Sequence, residues 1–456
     1  MKSKVQVVVA TSILTLFVVL CTLALGAPAQ SARTFIPYAD ARPIFDAVRA
    51  DFVPPDLRDL APAEREAGWP AWIVRHDTAI RARVAEGDAD SIVHLLLFGT
   101  SFTGAPRASE RDLAALVARP DEALRALRRR IDDFAAALAA PGANERLRFA
   151  RAVVERQGVD PATAEGRAAL GRYLDERTRV VGGSVTLTLF RDRGLATDTS
   201  IVADFGIEQA LDAMKAAGAV RAGSVRRVAI VGPGLDFIDK LDGYDFYPEQ
   251  TIQPFALIDS LLRLELAEPD RLEVVALDLG ARVLQHVEGA RARARAGMPY
   301  TVVLPRNTAR PWSPELVDYW DRLGNWIGEP APRVPAAPPN AGAVAVRALS
   351  IRPPSVLSIA PIDANIVTER LGVQQAPFDL IVATNILLYY DVFDQSLAAA
   401  NIADMLRAGG VLLTNNRIVE LPGSPLTAAG YIDVGYMTPP GIGQTGDRIT
   451  WYRRSR

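Results

Sequence analysis

The sequence predicts an α/β protein in which a mostly α-helical domain precedes a doubly wound parallel sheet. Two changes of pattern support this prediction. From about residue 35 to 220, alanine, leucine, arginine and glutamate recur at spacings of three and four, which is typical of amphipathic helices. After residue 225, short apolar runs alternate with helical segments, as expected for buried parallel strands separated by helices.

The individual elements follow from the same patterns. The predicted helices of the first half are 111–116, 121–138, 143–157 and 163–174, with prolines and glycines between them. The predicted strands of the second half are 228–231, 272–277, 356–359, 378–383 and 410–414. The helices between these strands are expected near 251–264, from 281 onward and over 393–406. We therefore expect a helical domain over 30–220 and a sheet domain over 221–456.

Composition limits the classes of function. A chain of 456 residues is too long for one core and suggests two or three domains. Its 51 basic and 53 acidic residues leave a net charge of −2, which gives no support for a nucleic-acid partner. His76, His94 and His286 lack the spacing of metal ligands, so we expect no metal site.

The amino terminus has the layout of a secretory signal. Lys2 and Lys4 precede an apolar run over 5–25 and small residues follow, so we expect residues 1–29 to be removed on export to the periplasm or beyond. The alternative is a membrane anchor over 5–25, with the rest of the chain outside the cytoplasm by the positive-inside rule. Cys21, the single cysteine, lies in this run, so a cleaved chain would form no disulfide.

The first predicted strand ends in a loop with two glycines. Gly232 and Gly234 follow an apolar run, and glycines at this place let the backbone turn sharply and approach a nucleotide-like ligand. The dinucleotide fingerprint needs a third glycine, but Phe237 stands at its position. Taken alone, the loop is equally consistent with a steric turn and with a ligand-binding loop.

An acidic residue ends the second predicted strand. Asp278 stands where a carboxylate can accept hydrogen bonds from both ribose hydroxyls of a nucleotide. The alternative is a cap for the helix that begins near Ala281. Its separation from the glycine loop is about twice the usual 20 residues, because a segment over 235–250 intervenes. That segment is rich in acids and aromatics, and it either folds over the ligand or is a long surface loop.

Two further segments interrupt the pattern. We expect an insertion over 297–347, with an aromatic part and a proline-rich linker over 330–343 that is not packed. The aromatics between 312 and 326 favour core packing, with a lid over an acceptor pocket as the alternative.

In the helical half, the hydroxyl-rich run over 99–103 favours a helix cap or turn over a contact with substrate.

Residues 377–415 contain the most specific motif. A predicted strand ends in Asn385 and is followed by apolar residues and Tyr389. A helix, a turn over 407–410 that ends in Gly-Gly, and a further strand come next. This order resembles the class I S-adenosylmethionine-dependent methyltransferases, which have a Rossmann-like fold. It is most similar to the chemotaxis-receptor glutamate methyltransferases. The resemblance covers about residues 223–456, and the first half resembles no family that we can name.

The resemblance implies a binding site for S-adenosylmethionine. Gly232 and Gly234 would line the methionine part of the cofactor, and Gln253, which begins a segment similar to the first helix of the family, would lie nearby. Asp278 would hold the ribose, and Asp363 would reach the adenine amino group. These residues would all lie at one edge of the sheet.

The resemblance also implies the reacting centre. Asn385 would lie at its floor beside the sulfur and contact the cofactor, and Tyr389 would contact the acceptor. Ile230 replaces an acid that is common at the end of the first strand, and Asp236 would then contact the amino group of the cofactor. Thr384 stands where the chemotaxis group has arginine, so a receptor glutamate is not implied as the acceptor.

These observations favour an S-adenosylmethionine-dependent methyltransferase, including O-methylation of a protein carboxylate or of a small molecule. The helical half and the insertion would select the acceptor, whose identity the sequence does not give. The alternative is a non-catalytic binding or scaffold protein of the cell envelope, because this cofactor is made and used in the cytoplasm while the signal directs export. A nicotinamide-dependent oxidoreductase is disfavoured by the missing third glycine.

Overall fold

The computed structural model describes residues 33–183, 201–239, 242–372, 376–438 and 446–455. The predicted signal or anchor over 1–29 lies outside these residues. The strands are β1 (Arg33–Phe35), β2 (Arg227–Val231), β3 (Glu273–Asp278), β4 (Tyr300–Asn307), β5 (Gly328–Pro330), β6 (Val344–Ile351), β7 (Ile359–Asp363), β8 (Glu369–Leu371), β9 (Phe378–Val382), β10 (Leu406–Thr414), β11 (Leu426–Gly435) and β12 (Gly446–Arg454).

The described α-helices alternate with these strands only in the second half of the chain. They are α1 (Tyr38–Ala47), α2 (Pro55–Arg58), α3 (Pro62–Phe98), α4 (Glu110–Ala118), α5 (Pro120–Ala126), α6 (Arg128–Ala139), α7 (Glu145–Arg156), α8 (Ala164–Gly183), α9 (Ile201–Ala216), α10 (Gln253–Arg263), α11 (Ala281–Arg295), α12 (Pro314–Arg322), α13 (Pro353–Leu357) and α14 (Val392–Met405). None of the helices in the described ranges is long and apolar enough to cross a bilayer.

A seven-stranded sheet forms the centre of the molecule, in the order β11-β12-β10-β9-β2-β3-β7. β12 is antiparallel to both of its neighbours, and the other six strands are parallel to one another. Side chains alternate across β2: Val228 and Ile230 pack with α9, α10 and α11, whereas Ala229 and Val231 pack with α1, α3 and α14. The predicted α/β sheet covered on both faces is therefore confirmed.

Two predictions about the sheet are wrong, and two strands were not predicted. The predicted strand over 356–359 is wrong, because Val356 lies in the short helix α13 and the strand begins at Ile359. The predicted turn over 407–410 lies within β10, at a shift of register that Gly409 accommodates with a φ of +72°. The outer strands β11 and β12 were not predicted from the sequence.

The predicted insertion forms a second, smaller sheet of three antiparallel strands in the order β4-β6-β5. Its aromatic residues Trp312, Tyr319 and Trp320 are buried, which confirms the core-packing interpretation for these three, whereas Trp326 is 51% exposed, contrary to that interpretation. The proline-rich linker is mostly exposed, but Ala341 packs with Tyr244 in an apolar cluster, so this part of the linker is packed, contrary to expectation.

The first helices pack directly on the large sheet. Phe45 of α1 and Trp72 of α3 contact Phe393 of α14, with ring centroids 5.2 Å and 6.0 Å apart. The later helices, from the end of α3 to α8, form a separate apolar cluster that includes Phe237 and Ile238 from the second half. As a result, α3 passes from one cluster to the other across the carboxyl edge of the sheet.

Candidate functional site

A narrow cleft opens at the carboxyl ends of β2 and β3, which we call the edge cleft. Its walls include Val84 of α3, Gly232, Gly234, Asp278 and Tyr390. Its cavity volume is about 40 Å³, which is small beside the range of about 300 to 1,000 Å³ typical of small-molecule pockets. The structure thus brings the glycine loop and the end of the second strand together, as the sequence predicts for this edge.

Both glycines of the loop are required by the backbone. Gly232 and Gly234 have φ values of +66° and +69°, a region that costs other residues free energy. A Cβ at Gly232 would overlap with Cδ1 of Ile386 and lie 2.8 Å from its Cγ1. The loop is therefore a steric turn that also forms a wall of the edge cleft, and its contact with a ligand stays a prediction.

Asp278 links the cleft to the helix that follows it. Its carboxylate accepts a 2.7 Å hydrogen bond from the backbone N–H of Gly280 and further bonds from the N–H groups of Gly234 and Leu279. Burial raises the pKa of Asp278 to about 6, and the backbone donors limit the rise. The carboxylate therefore organises the start of α11 and also lines the edge cleft, while its contact with a ribose stays a prediction.

Asp363 lies beside Asp278 in the register of β7 on β3. Its Oδ1 accepts a 2.7 Å hydrogen bond from Nη1 of Arg81, and Arg33 approaches the same oxygen at 3.5 Å. Arg81 also donates to Asp77 at 2.8 Å and to Glu369 at 2.9 Å. The residue expected to reach adenine is therefore held by an arginine of the long helix.

Asn385 is the functional candidate with the most unusual backbone. Its φ of +56° is rare outside glycine, and asparagine tolerates it better than most residues. Its backbone N–H donates to Oδ1 of Asn415, and Nδ2 of Asn415 donates to its Oδ1, both at 2.8 Å. Two asparagines that follow neighbouring parallel strands thus fix each other. Sequence reasoning missed Asn415, although its place after the fifth predicted strand was a usable signal.

Gln253 connects the first helix of the sheet domain to the strand that leads to Asn385. It is 7% exposed at the start of α10, and its Nε2 donates a 2.8 Å hydrogen bond to Oγ1 of Thr384. This bond places an amide beside the reacting centre implied by the sequence. Because Thr384 directly precedes Asn385, this bond brings Gln253 close to Asn385.

Of the predicted site residues, only Gly232, Gly234 and Asp278 line the edge cleft, and Asp236 and Tyr389 are the two whose contacts lie elsewhere in the core. Asp236 is buried and accepts hydrogen bonds of 2.9 Å from the hydroxyl of Tyr247 and from Nε2 of Gln250. Tyr389 is buried in the apolar cluster beneath the sheet, because it closes a short 3₁₀ turn. Its neighbour Tyr390 faces the cleft instead. The placement therefore favours Tyr390 over Tyr389 for contact with a ligand.

The long segment after the glycine loop is packed between the two halves of the chain. Phe237 contacts Phe149 of α7, with ring centroids 5.2 Å apart. Arg146, which is 3% exposed, donates to the backbone carbonyls of Phe237, Tyr247 and Asp236. This packing is inconsistent with a surface loop, and it holds the residues that follow Gly234 in one conformation.

The remaining candidates have structural roles. His76 lies 2.7 Å from Asp394, and His286 lies 2.7 Å from the hydroxyl of Tyr300. Burial lowers the pKa of His286 to about 4. Thr100, in the hydroxyl-rich run, binds Asp245 through its N–H and its hydroxyl. Over the ranges that the structure describes, no group of histidine, cysteine, aspartate and glutamate has the geometry of a metal site.

No protein-family model and no curated protein matches the chain. Solved structures of methyltransferases do match it. The N-methyltransferase NodS from Bradyrhizobium japonicum is 12% identical over 55% of this chain and 95% of its own, with a TM-score of 0.26. The magnesium protoporphyrin IX methyltransferase ChlM from Synechocystis, solved with bound S-adenosylmethionine, is 11% identical over 56% and 81%, with a TM-score of 0.27.

A third match has a similar level of likeness. The O-methyltransferase family 2 protein from Planctomyces limnophilus, in complex with apigenin, is 12% identical over 82% of this chain and 96% of its own, with a TM-score of 0.24. At TM-scores this low, the α/β fold of the present chain is defined by its own strand order and not by these matches.

Proposed function

We propose that the chain is an S-adenosylmethionine-dependent methyltransferase that binds its cofactor at the edge cleft. The main support is that the glycine loop after β2 and Asp278 at the end of β3 line the cleft together. Asn385 follows β9, the other neighbour of β2, at the same edge of the sheet, and the next residue, Ile386, lines the cleft. In α/β sheets of this kind, ligands bind outside the carboxyl ends of the strands. We also propose that, among methyltransferases, residues 223–456 are most similar to the chemotaxis-receptor group.

Each residue would act by binding and orientation. Asp278 would accept hydrogen bonds from the ribose, and the loop from Gly232 to Gly234 would let the backbone approach the methionine part of the cofactor. Asn385, fixed by Asn415, would hold its side-chain amide beside the sulfur. The cofactor supplies a reactive methyl group when it is bound, so the protein mainly aligns the acceptor for in-line attack.

The cleft must widen before it can admit a nucleoside. Its volume of about 40 Å³ is far below the range of about 300 to 1,000 Å³ typical of small-molecule pockets. Val84 of α3 forms one wall, and Arg81, one turn earlier on the same helix, is bound to Asp363. We propose that α3 moves away from the sheet edge when the cofactor enters. The same narrowness supports the alternative, a scaffold protein that kept the fold without the chemistry.

We also propose that the helical half and the small sheet select the acceptor, and that the chain is exported. Trp312, which precedes α12, forms an isolated bridge with Met437 after β11, so the small-sheet region reaches the edge that carries Asn385 and Asn415.

The proposal that the chain is exported is supported by the basic residues and the apolar run at the amino terminus. No contact with nucleic acid is proposed.

The test is calorimetry of the full chain with S-adenosylmethionine and S-adenosylhomocysteine. We expect both to bind, and Asp278→Asn to weaken binding by about 1 to 3 kcal/mol, because the charge-assisted bonds to ribose are lost. Asp270→Asn is the matched control, since Asp270 is exposed just before β3 and away from the cleft. Equal affinities for the two variants would show that Asp278 only organises the backbone, and an absence of binding would support the scaffold alternative.

A further inference from the structure

The sheet edge continues from Asn385 towards two further strands. β12 is antiparallel, so its first residues lie at the same edge as the last residues of β9 and β10. Nδ2 of Asn415 lies 2.8 Å from Oδ1 of Asn385 and 3.5 Å from Oδ2 of Asp447. Asp447 therefore lies beside the proposed reacting centre, and the side-chain amide of Asn415 contacts both Asp447 and Asn385.

A tyrosine and a buried aspartate complete this part of the edge. The hydroxyl of Tyr436, directly after β11, donates a 2.9 Å hydrogen bond to Oδ2 of Asp447. Burial and the neighbouring Asp447 carboxylate raise the pKa of Tyr436, and the charge of Asp204 on α9 raises it further. Gly206 brings α9 against the same tyrosine, since a Cβ there would lie 3.2 Å from the hydroxyl. Burial and the charge of Asp204 also raise the pKa of Tyr319, which lies near that carboxyl. We call Asp204, Tyr319, Tyr436 and Asp447 the acidic edge.

Two polar groups of the acidic edge have no partner. Asp204 is 3% exposed and Tyr319 is fully buried, yet Oδ2 of Asp204 and the hydroxyl of Tyr319 make no hydrogen bond within the described part of the chain. Buried polar groups are nearly always satisfied, and the exceptions call for a bound water, ion or ligand. These two groups of the acidic edge can therefore form hydrogen bonds with a polar molecule.

The charge of the acidic edge is also uncompensated. Among the residues that the structure describes, no arginine, lysine or histidine forms an ion pair with Asp204 or Asp447. The nearby cations are committed to Glu208, one turn after Asp204: Arg322 lies 2.5 Å and Arg263 lies 2.9 Å from it. Burial without a counter-ion raises the pKa of Asp204 far above its ordinary value, because nothing positive stabilises its ionised form. A ligand that brings positive charge would supply that missing partner.

From this geometry we infer that the acceptor of the proposed methyl transfer is an amine, bound at the acidic edge by Asp447 and Tyr436, and not a carboxylate. The inference rests on the proposed function. A carboxylate acceptor would bring a second negative charge beside Asp447, which pairs with no cation of the described residues, and like charges at such a site disfavour binding. An amine donates N–H groups to these oxygens and carries the missing positive charge.

The chemical step is balanced with these groups. An amine that enters as an ammonium ion first gives a proton to the Asp447 carboxylate, which is half-buried and can pass it to solvent. The nitrogen lone pair then attacks the sulfonium methyl carbon, so that a nitrogen–carbon bond forms and the carbon–sulfur bond breaks. The electron pair of the broken bond goes to sulfur, which becomes a neutral thioether. The proton left on the methylated nitrogen follows the first to Asp447 or stays on the product.

The test compares probes of one shape and different charge. The full chain, saturated with S-adenosylhomocysteine, is titrated by calorimetry with benzylamine, benzyl alcohol and sodium benzoate. We expect benzylamine to bind at least about tenfold more tightly than benzoate, with the alcohol between them. In Asp447→Asn the preference for the amine should fall to within about threefold, because the variant keeps the shape and loses the charge.

The controls separate this inference from the proposed function and from loss of folding. Asp433→Asn removes an exposed carboxylate of β11 that pairs with Arg448, and it should leave the preference unchanged. Tyr436→Phe should weaken benzylamine binding less than Asp447→Asn does, and thermal unfolding of each variant checks the fold. Benzoate binding as tightly as benzylamine, an unchanged preference in Asp447→Asn, or no amine binding to the loaded protein would each overturn the inference. A failure of S-adenosylhomocysteine itself to bind would instead overturn the proposed function.

Discussion

Nη1 of Arg81 lies 2.7 Å from Oδ1 of Asp363, so an ion pair joins the long helix α3 to the end of β7. The two residues are 282 positions apart, and the pair lies next to the wall of the edge cleft formed by Val84. The guanidinium also binds Asp77 and Glu369. It therefore holds α3 against the sheet at the place where we propose that the cofactor enters.

Releasing Arg81 should open this edge. We expect Arg81→Gln to raise the association rate of S-adenosylmethionine several-fold, because an open cleft would be more populated in the free protein. It should also lower the free energy of unfolding by about 1 to 3 kcal/mol through the loss of charge-assisted bonds. Stopped-flow tryptophan fluorescence gives the rate, since Trp72 is on the same helix. Arg75→Gln, at an exposed position of α3, should change neither quantity. An association rate equal to that of the wild type would contradict the role of α3.

The glycine loop allows a matched comparison of two glycines with the same backbone. Gly218 has a φ of +68° and open space around it, whereas Gly232 has a φ of +66° and lies against Ile386. We expect Gly218→Ala to cost about 1 to 2 kcal/mol and Gly232→Ala about 1 to 3 kcal/mol more, because of overlap. Urea denaturation measures both costs. In a double-mutant cycle, Ile386→Ala should recover part of the extra cost, and equal costs for the two alanine variants would disprove the contact.

The strained backbone of Asn385 can be measured apart from its function. Asn385→Gly and Asn385→Ala remove the same contacts with Asn415, but only alanine keeps a Cβ at a φ of +56°. The glycine variant should therefore be more stable than the alanine variant by about 1 kcal/mol. Chemical denaturation gives the difference. Equal stabilities would mean that the backbone relaxes when the asparagine pair is lost.

The pKa of Asp278 predicts how cofactor binding depends on pH. Because burial raises this pKa to about 6 and ribose donates to the ionised form, the affinity for S-adenosylmethionine should fall as pH drops below about 6, approaching tenfold per pH unit. The same raised pKa means that the contribution of Asp278 to folding is full below its unfolded value of about 4 and is lost as pH rises through about 6. Calorimetry between about pH 5 and pH 8 measures the binding effect. A profile for Asp278→Asn as steep as that of the wild type would assign the dependence to another group.

The parts of the fold that the sequence predicted are those with local signals. Continuous apolar runs such as 228–231 and 378–383 mark strands buried on both faces, and they correspond to β2 and β9. β11 was missed because most of its side chains are exposed at the edge of the sheet and form no apolar run. The turn at Gly409 was misplaced because a bulge within a strand and a turn between elements use the same residues.

The residues of the candidate site also fall into those that the sequence predicts and those that only the tertiary structure reveals. Gly232, Gly234 and Asp278 could be found from the sequence, because their roles depend on position at the end of a strand. Arg81 and Asp447 could not, because each acts through a partner that only the tertiary fold brings close. Contacts of that kind leave no periodicity or spacing in the sequence to read.

The central claim is that S-adenosylmethionine binds at the edge cleft through Asp278. A crystal structure of the full chain grown with saturating S-adenosylhomocysteine tests it most directly. The account predicts both ribose hydroxyls within about 3 Å of the Asp278 carboxylate, the sulfur beside Asn385, and Val84 displaced from its present position. A cleft that stays closed at saturating ligand, or ligand bound elsewhere on the chain, would contradict the account.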